Sequence, residues 1–219
     1  MDAATGSLLW SMLEKVGLAF LLVYALAQTG YFRQILSRRL HARNQAVLIV
    51  FFGGLAILGT YTGAALPSGA IINIRDMSPM VAGLVGGPVV GLGAGLIGGI
   101  HRYTVGGLTA TPCAITTILA GLLGGLVYLW VGKNVIAAHW AGLYAVVMMA
   151  LEMGLILLLV QPFSSAMATV QIIALPMIVA NAVGTGVIVF MVRNVAREVN
   201  PDALAGRPER EGAFASPGR

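Results

Sequence analysis

The sequence is poor in charge, in cysteine and in histidine, and each shortage closes off a class of function. Asp, Glu, Lys and Arg make up 10% of its 219 residues, against about 25% in an average soluble domain. Its single cysteine, Cys113, excludes an intramolecular disulfide framework. With only three histidines, no Cys/His spacing resembles a metal site, and no cofactor is implied. Aromatic residues are 7% of the chain and interleave with no basic stripe, so the net charge of +5 does not indicate nucleic acid binding. No nucleophile and base stand at a recognisable spacing, so the chain is not expected to be an enzyme.

What is abundant is apolar surface. Hydrophobic residues are 58% of the sequence and the mean hydropathy is +0.89, values of an integral membrane protein. Apolar segments run roughly from Leu8 to Gln28, Ala46 to Leu66, Met77 to Ile100, Thr111 to Val131, Ile136 to Val160 and Ile172 to Val192. Each is near the ~20 residues that a spanning helix needs. Residues 1–199 are expected to form one membrane domain, and the polar, Pro- and Gly-rich segment 200–219 a disordered tail. The first segment carries Glu14 and Lys15 and lacks a clear small-residue cleavage site, so it reads as a retained helix.

Charge placement sets the expected topology. Arg33, Arg38, Arg39 and Arg43 crowd the loop after the first segment, Lys133 lies in a short turn, and Arg193 and Arg197 follow the last segment. The positive-inside rule places all of them in the cytoplasm. That holds at once only if the stretch from Met77 to Ile100 begins and ends on the outer side. The expected fold is therefore all-α, with five full transmembrane helices and one re-entrant helical hairpin. Gly86, Gly87 and Pro88 supply the break, because proline removes a helical hydrogen bond and clashes with the preceding turn. The alternative is six straight helices, favoured by Gly83, Gly87, Gly91, Gly95 and Gly99 at every fourth position.

Ionisable groups inside a membrane domain are costly and mark functional sites. Arg75 opens the hairpin region and Arg102 closes it, 27 residues later. One straight helix would hold them ~40 Å apart, on opposite sides of a ~30 Å hydrocarbon core; a hairpin brings them to one side. After Arg102, Gly106 and Gly107 permit a reversal, Thr111 is the expected N-cap and Pro112 the first helical residue. Cys113 then falls in the first turn, with Thr116 on the same face. A helix N-terminus with one or two arginines in reach suits a small carboxylate. Asn73, His101 and Thr109 lie in the same motifs and complete the candidate ligand-binding set.

A plainer reading stands beside each residue. Arg102 could snorkel to lipid phosphate, and Arg75 could pair with Asp76 or cap a helix. Cys113 could be a small core residue, and Thr116 could bond back to its own helix. His101 suits the membrane interface. Glu152 is open between a proton or substrate site and a buried partner of the backbone or of Asn181.

The segments NIRD at 73–76, GLVGGPVVGLGAGLIGGIHRYTVGGLTATPC at 83–113 and AITTILAGLLGGLV up to residue 127 resemble one known family. It is the five-transmembrane sensor module of LytS-type histidine kinases, some diguanylate cyclases and the pyruvate-sensing kinases of enteric bacteria. LEMGLILLL at 151–159 and LPMIVANAVGTG at 175–186 are similar to it as well. The resemblance implies a receptor in a bacterial inner membrane, coupled to a cytoplasmic kinase or cyclase output and acting as a homodimer. It also implies a small carboxylate ligand such as pyruvate, held by Arg75, Arg102, Cys113 and Thr116, where Thr116 replaces a serine. The glycine run also resembles the substrate-binding components of energy-coupling-factor transporters, and a transport component is the alternative function. Beyond ligand and output, the partners expected are membrane lipids.

Overall fold

The computed structural model describes residues 3–30, 32, 42–66, 69–132 and 134–199. The segment 200–219, most of the first basic loop and Lys133 lie outside the described residues, so the expectations placed on them are not addressed. The elements are α1 (Ala3–Ala27), α2 (Ala42–Tyr61), the strands β1 (Ala64–Ala65) and β2 (Ile71–Ile72), then α3 (Met77–Gly86), α4 (Pro88–Val105), α5 (Ala110–Trp130), α6 (Ala138–Leu159) and α7 (Phe163–Val199). Helices α1, α2, α5, α6 and α7 are long and apolar enough to cross a membrane. The expected architecture of five crossings and a broken pair is the one observed, and six straight helices are not needed.

The break falls where the sequence places it. Gly87 adopts φ +83° between α3 and α4, a left-handed conformation that costs a residue with a Cβ but not glycine. Its N–H closes α3 on the Gly83 carbonyl at 2.9 Å, and its own carbonyl accepts the Gly91 N–H at 2.9 Å. Pro88 follows in the first turn of α4, where its missing N–H has no partner to lose. At 10 residues, α3 is about 15 Å long, half of a bilayer core, and α4 returns from that depth.

Helix α5 lies across the elbow of this hairpin at backbone contact. A Cβ added to Gly91 would strike the Gly121 carbonyl oxygen, one added to Gly121 would strike that of Gly91, and one on Gly125 would strike Pro88. Small residues allow such approach, and in lipid it is packing of this kind that associates helices. On the other side of the hairpin, Gly59 of α2 leaves room for the backbone of Arg75, whose Cα would lie 2.9 Å from an added Cβ. Ser78 ties α3 to α2 by donating to the Phe52 carbonyl at 2.6 Å.

The distribution of polarity is that of a protein in lipid. Trp130 is 88% and Leu158 72% exposed, whereas Arg75, Asp76, Arg102 and Glu152 are at 0%. One local expectation needs correction: α5 starts at Ala110 with Thr109 as its N-cap, two residues before the expected Thr111. Pro112 still falls in the first turn, where an N–H is dispensable, so the proline tolerates the earlier start.

Gly121→Ala should lower thermal stability in detergent by about 1–3 kcal/mol through overpacking. Gly154→Ala, whose methyl meets nothing within 4 Å, should be neutral or stabilising. Equal melting temperatures for the two variants would contradict the backbone contact.

Candidate functional site

The site forms where the hairpin starts and ends. Asn73 shapes the entry: its side-chain oxygen accepts the Arg75 N–H at 3.1 Å and its amide donates to the Ile71 carbonyl at 3.2 Å. The chain is thereby turned out of β2 and into α3. Asn181, from the middle of α7, accepts the Met77 N–H at 3.1 Å and donates to the Asn73 carbonyl at 3.4 Å. It satisfies one of the orphan donors at the start of α3.

Arg75 is held on three sides. Its Nη2 meets Asp76 Oδ2 at 2.8 Å, its Nε donates to Thr117 Oγ1 at 2.7 Å, and Glu152 Oε1 lies 3.6 Å from Nη2. The Thr117 hydroxyl in turn donates to Asp76 Oδ1, with the Cys113 carbonyl 2.7 Å away as a second acceptor in reach. The plainer reading of Arg75, a pair with Asp76, thus describes one edge of the guanidinium. Its Nη1 has no hydrogen-bond partner although it is buried.

Arg102 sits at the other end of the hairpin, in the last turn of α4. Its Nη1 donates to the Gly106 carbonyl at 2.5 Å and its Nη2 to Thr109 Oγ1 at 3.1 Å. The Thr109 hydroxyl is therefore engaged by Arg102 and makes no cap bond to α5. Arg102 Nε is buried without a partner. A side chain at 0% exposure with protein hydrogen bonds does not snorkel.

Cys113 is buried on α5, one helical turn from Thr109, which Arg102 engages, and one turn from Thr117, which Arg75 engages. The structure thus brings Arg75, Arg102 and Cys113 into one cluster, with Asn73 and Thr109 orienting the arginines. Thr116 is buried but donates to the Pro112 carbonyl at 2.8 Å, and the His101 ring packs on Tyr61, ring centroids 5.0 Å apart. The N-terminus of α5 offers an anion little, because Ala110 N–H bonds to the Gly107 carbonyl at 3.0 Å and Pro112 has no N–H. Donors for an anion here come from the guanidinium groups.

Sequence reasoning missed Thr117 and the role of Glu152. Thr117 is four residues from Cys113, the same-face spacing that best matches one helical turn, and the neighbouring Thr116 was the expected contact. Asp76 was the partner in the plainer reading of Arg75; Glu152 was visible as an intramembrane carboxylate, but neither pattern nor spacing paired it with Arg75 across different helices.

Thr117→Val should destabilise the protein by about 1–3 kcal/mol, because it leaves a buried ion pair with unmet hydrogen bonds. Thr116→Val, which removes only a bond within one helix, should cost less. Thermal unfolding of the two variants side by side checks this, and the reverse order would contradict the network.

Comparison with known proteins fits this geometry. The family model described as the 5TMR of 5TMR-LYT matches residues 29–195. The sensor protein LytS of Bacillus subtilis is 36% identical over 204 residues, 85% of this chain and 34% of the relative. The sensor histidine kinase BtsS of Escherichia coli is 33% identical over 178 residues, 79% of this chain and 32% of the relative. The sensor histidine kinase/phosphatase LytS of Staphylococcus aureus is 31% identical over 209 residues, 88% of this chain and 36% of the relative. No solved structure matches the chain. The chain spans about a third of the length of these relatives. The expectation that the chain is not an enzyme is corrected by these names: the relatives include histidine kinases, and kinase activity belongs to their full-length chains. A membrane sensor domain has no need of a catalytic constellation of its own, which is why the sequence shows none. With five apolar helices of spanning length, this is a multi-pass protein of the bacterial inner membrane and a sensor domain of signal-transduction receptors. The chain belongs to the five-transmembrane receptor family of the LytS type.

Proposed function

We propose that the domain senses a small carboxylate of the pyruvate class from the outer side of the membrane. Arg75 and Arg102 hold the carboxylate, and Cys113 contacts the remainder of the ligand. Occupancy sets the activity of a cytoplasmic output, a histidine kinase as in the named relatives. The observation that carries this reading is the pair of buried guanidinium groups, each with an unpartnered N–H, bound to α5 one turn on either side of Cys113. Unpaired donors of this kind are rare in folded proteins, and a carboxylate has the acceptor oxygens to satisfy both at once. The similarity of NIRD and of the run through TATPC to pyruvate-sensing kinases supports the ligand class.

A route inward is available at the same place. Asn181 bonds both to the backbone on which Arg75 is mounted and to α3, and it belongs to α7. A ligand that draws on Arg75 thus acts on a helix of 37 residues, about 55 Å long. A shift of that helix requires that the ligand favour one of its two positions.

Calorimetry on protein in lipid nanodiscs should show saturable binding of pyruvate or a close carboxylate. Arg102→Ala should weaken it at least about tenfold, the loss of one charge-assisted hydrogen bond or more. Arg102→Lys should restore only part, since a point charge replaces a fork. Unchanged affinity in a folded Arg102→Ala variant would overturn the assignment.

A further inference from the structure

Around the ligand arginines the formal charges balance when both carboxylates are ionised: Arg75 and Arg102 stand against Asp76 and Glu152, all at 0% exposure. A carboxylate anion added to this set leaves one negative charge uncompensated in a buried, membrane-embedded place, which is strongly unfavourable. Something must neutralise it.

The two carboxylates differ in how firmly they are held. Asp76 accepts from Arg75 through both oxygens and from Thr117. Glu152 has no hydrogen-bond partner on either oxygen, and its nearest cation, Arg75 Nη2 at 3.6 Å, already serves Asp76 at 2.8 Å. The ionised form of Glu152 is therefore the less secured of the two, and an arriving carboxylate competes with it for the same guanidinium groups. Besides Arg75, the charged and titratable groups around Glu152 are Asp76, just before α3, Arg102 from α4 and Cys113 from α5. On α7 the charged residues are Arg193, Arg197 and Glu198, all in its last turns, and α3 has none.

We propose that a carboxylate ligand enters this site together with one proton, taken up by Glu152. The proton comes from the aqueous phase and forms an O–H bond on a Glu152 carboxylate oxygen; no other bond changes. The neutral acid releases its claim on Arg75 and gains a donor that can face the ligand or the Cys113 sulfur. The inference rests on the carboxylate reading above and extends it: the domain reports the anion and the proton jointly. His101 is the rival proton acceptor, since its Nδ1 is buried and unpartnered, but its ring is packed edge-on to Tyr61 at 5.0 Å, whereas Glu152 already lies 3.6 Å from Arg75.

The test is calorimetry of pyruvate binding to the full chain in nanodiscs, in two buffers of different ionisation enthalpy, at several pH values from about 6 to about 10. Pyruvate stays ionised throughout that range. At the alkaline end, where Glu152 is ionised in the free protein, the wild type should take up about one proton per ligand, and there its Kd should rise up to about tenfold per pH unit as pH increases, the slope that uptake of a single proton imposes. E152Q, which copies the shape of the neutral acid, should bind with no proton uptake and no pH slope, and H101Q should keep both. Binding by the wild type without proton uptake would overturn the proposal and leave the carboxylate reading standing. Uptake that persists in E152Q or vanishes in H101Q would overturn it too. Absence of any carboxylate binding to folded wild-type protein would overturn the carboxylate reading, and the proposal with it.

Discussion

An arginine and an aspartate adjacent in the chain, both withdrawn completely from solvent, set the terms for everything around them. Burying Arg75 and Asp76 in a membrane domain costs several kcal/mol per ion unless their hydrogen bonds are met. Asp76 cannot satisfy its neighbour alone, so the hydroxyl of Thr117 on α5 closes the pair. That requirement ties the entry of the hairpin to α5, and Glu152 at 3.6 Å ties it to α6. A buried ion pair is weak evidence for stability. Here its value lies in fixing which helices meet and in leaving one edge of the guanidinium unused.

The glycines make that meeting possible. A hydrogen bond between side chains as short as aspartate and threonine needs backbones close together, and the contacts among Gly83, Gly91, Gly121 and Gly125 bring the hairpin and α5 to that separation. Gly59 does the same for Arg75 against α2. The hairpin also solves a problem of reach. By stopping at Gly87 and returning, α3 and α4 deliver Arg75 and Arg102 to the same face of α5. The carboxyamide of Asn181 then connects this cluster to the longest helix. Sensing and packing are in this sense one structure, since the bonds that hold the hairpin in place are those a ligand on Arg75 would disturb.

Much of this was legible in the sequence, and the remainder was not for identifiable reasons. Gly86-Gly87-Pro88 announced the break because proline and positive φ act locally. Five crossings followed from hydropathy and basic residues, which report on the solvent and need no partner. The start of α5 was placed two residues late because Thr111-Pro112 is a good local cap signal, whereas the actual N-cap, Thr109, has its hydroxyl claimed by Arg102 from another helix. Thr117 was overlooked beside Thr116 for the same reason: both lie on the Cys113 face, and only the position of Arg75 distinguishes them. Pairings between helices depend on rotation and depth, which residue order does not specify. The kinase link followed from the resemblance of the motifs to a family and not from any catalytic residue, and relatives about three times as long bear it out.

The central claim is that the two arginines grip one carboxylate. The most direct measurement is a magic-angle-spinning NMR distance, in bilayers, between the carboxylate carbon of 13C-labelled pyruvate and 15N-labelled arginine side chains, assigned with Arg75→Lys and Arg102→Lys protein. The account predicts guanidinium nitrogens of both residues within about 4 Å of that carbon, the spacing of a charge-assisted hydrogen bond. A bound carboxylate with neither arginine nitrogen closer than about 6 Å, beyond any direct hydrogen bond, would contradict it.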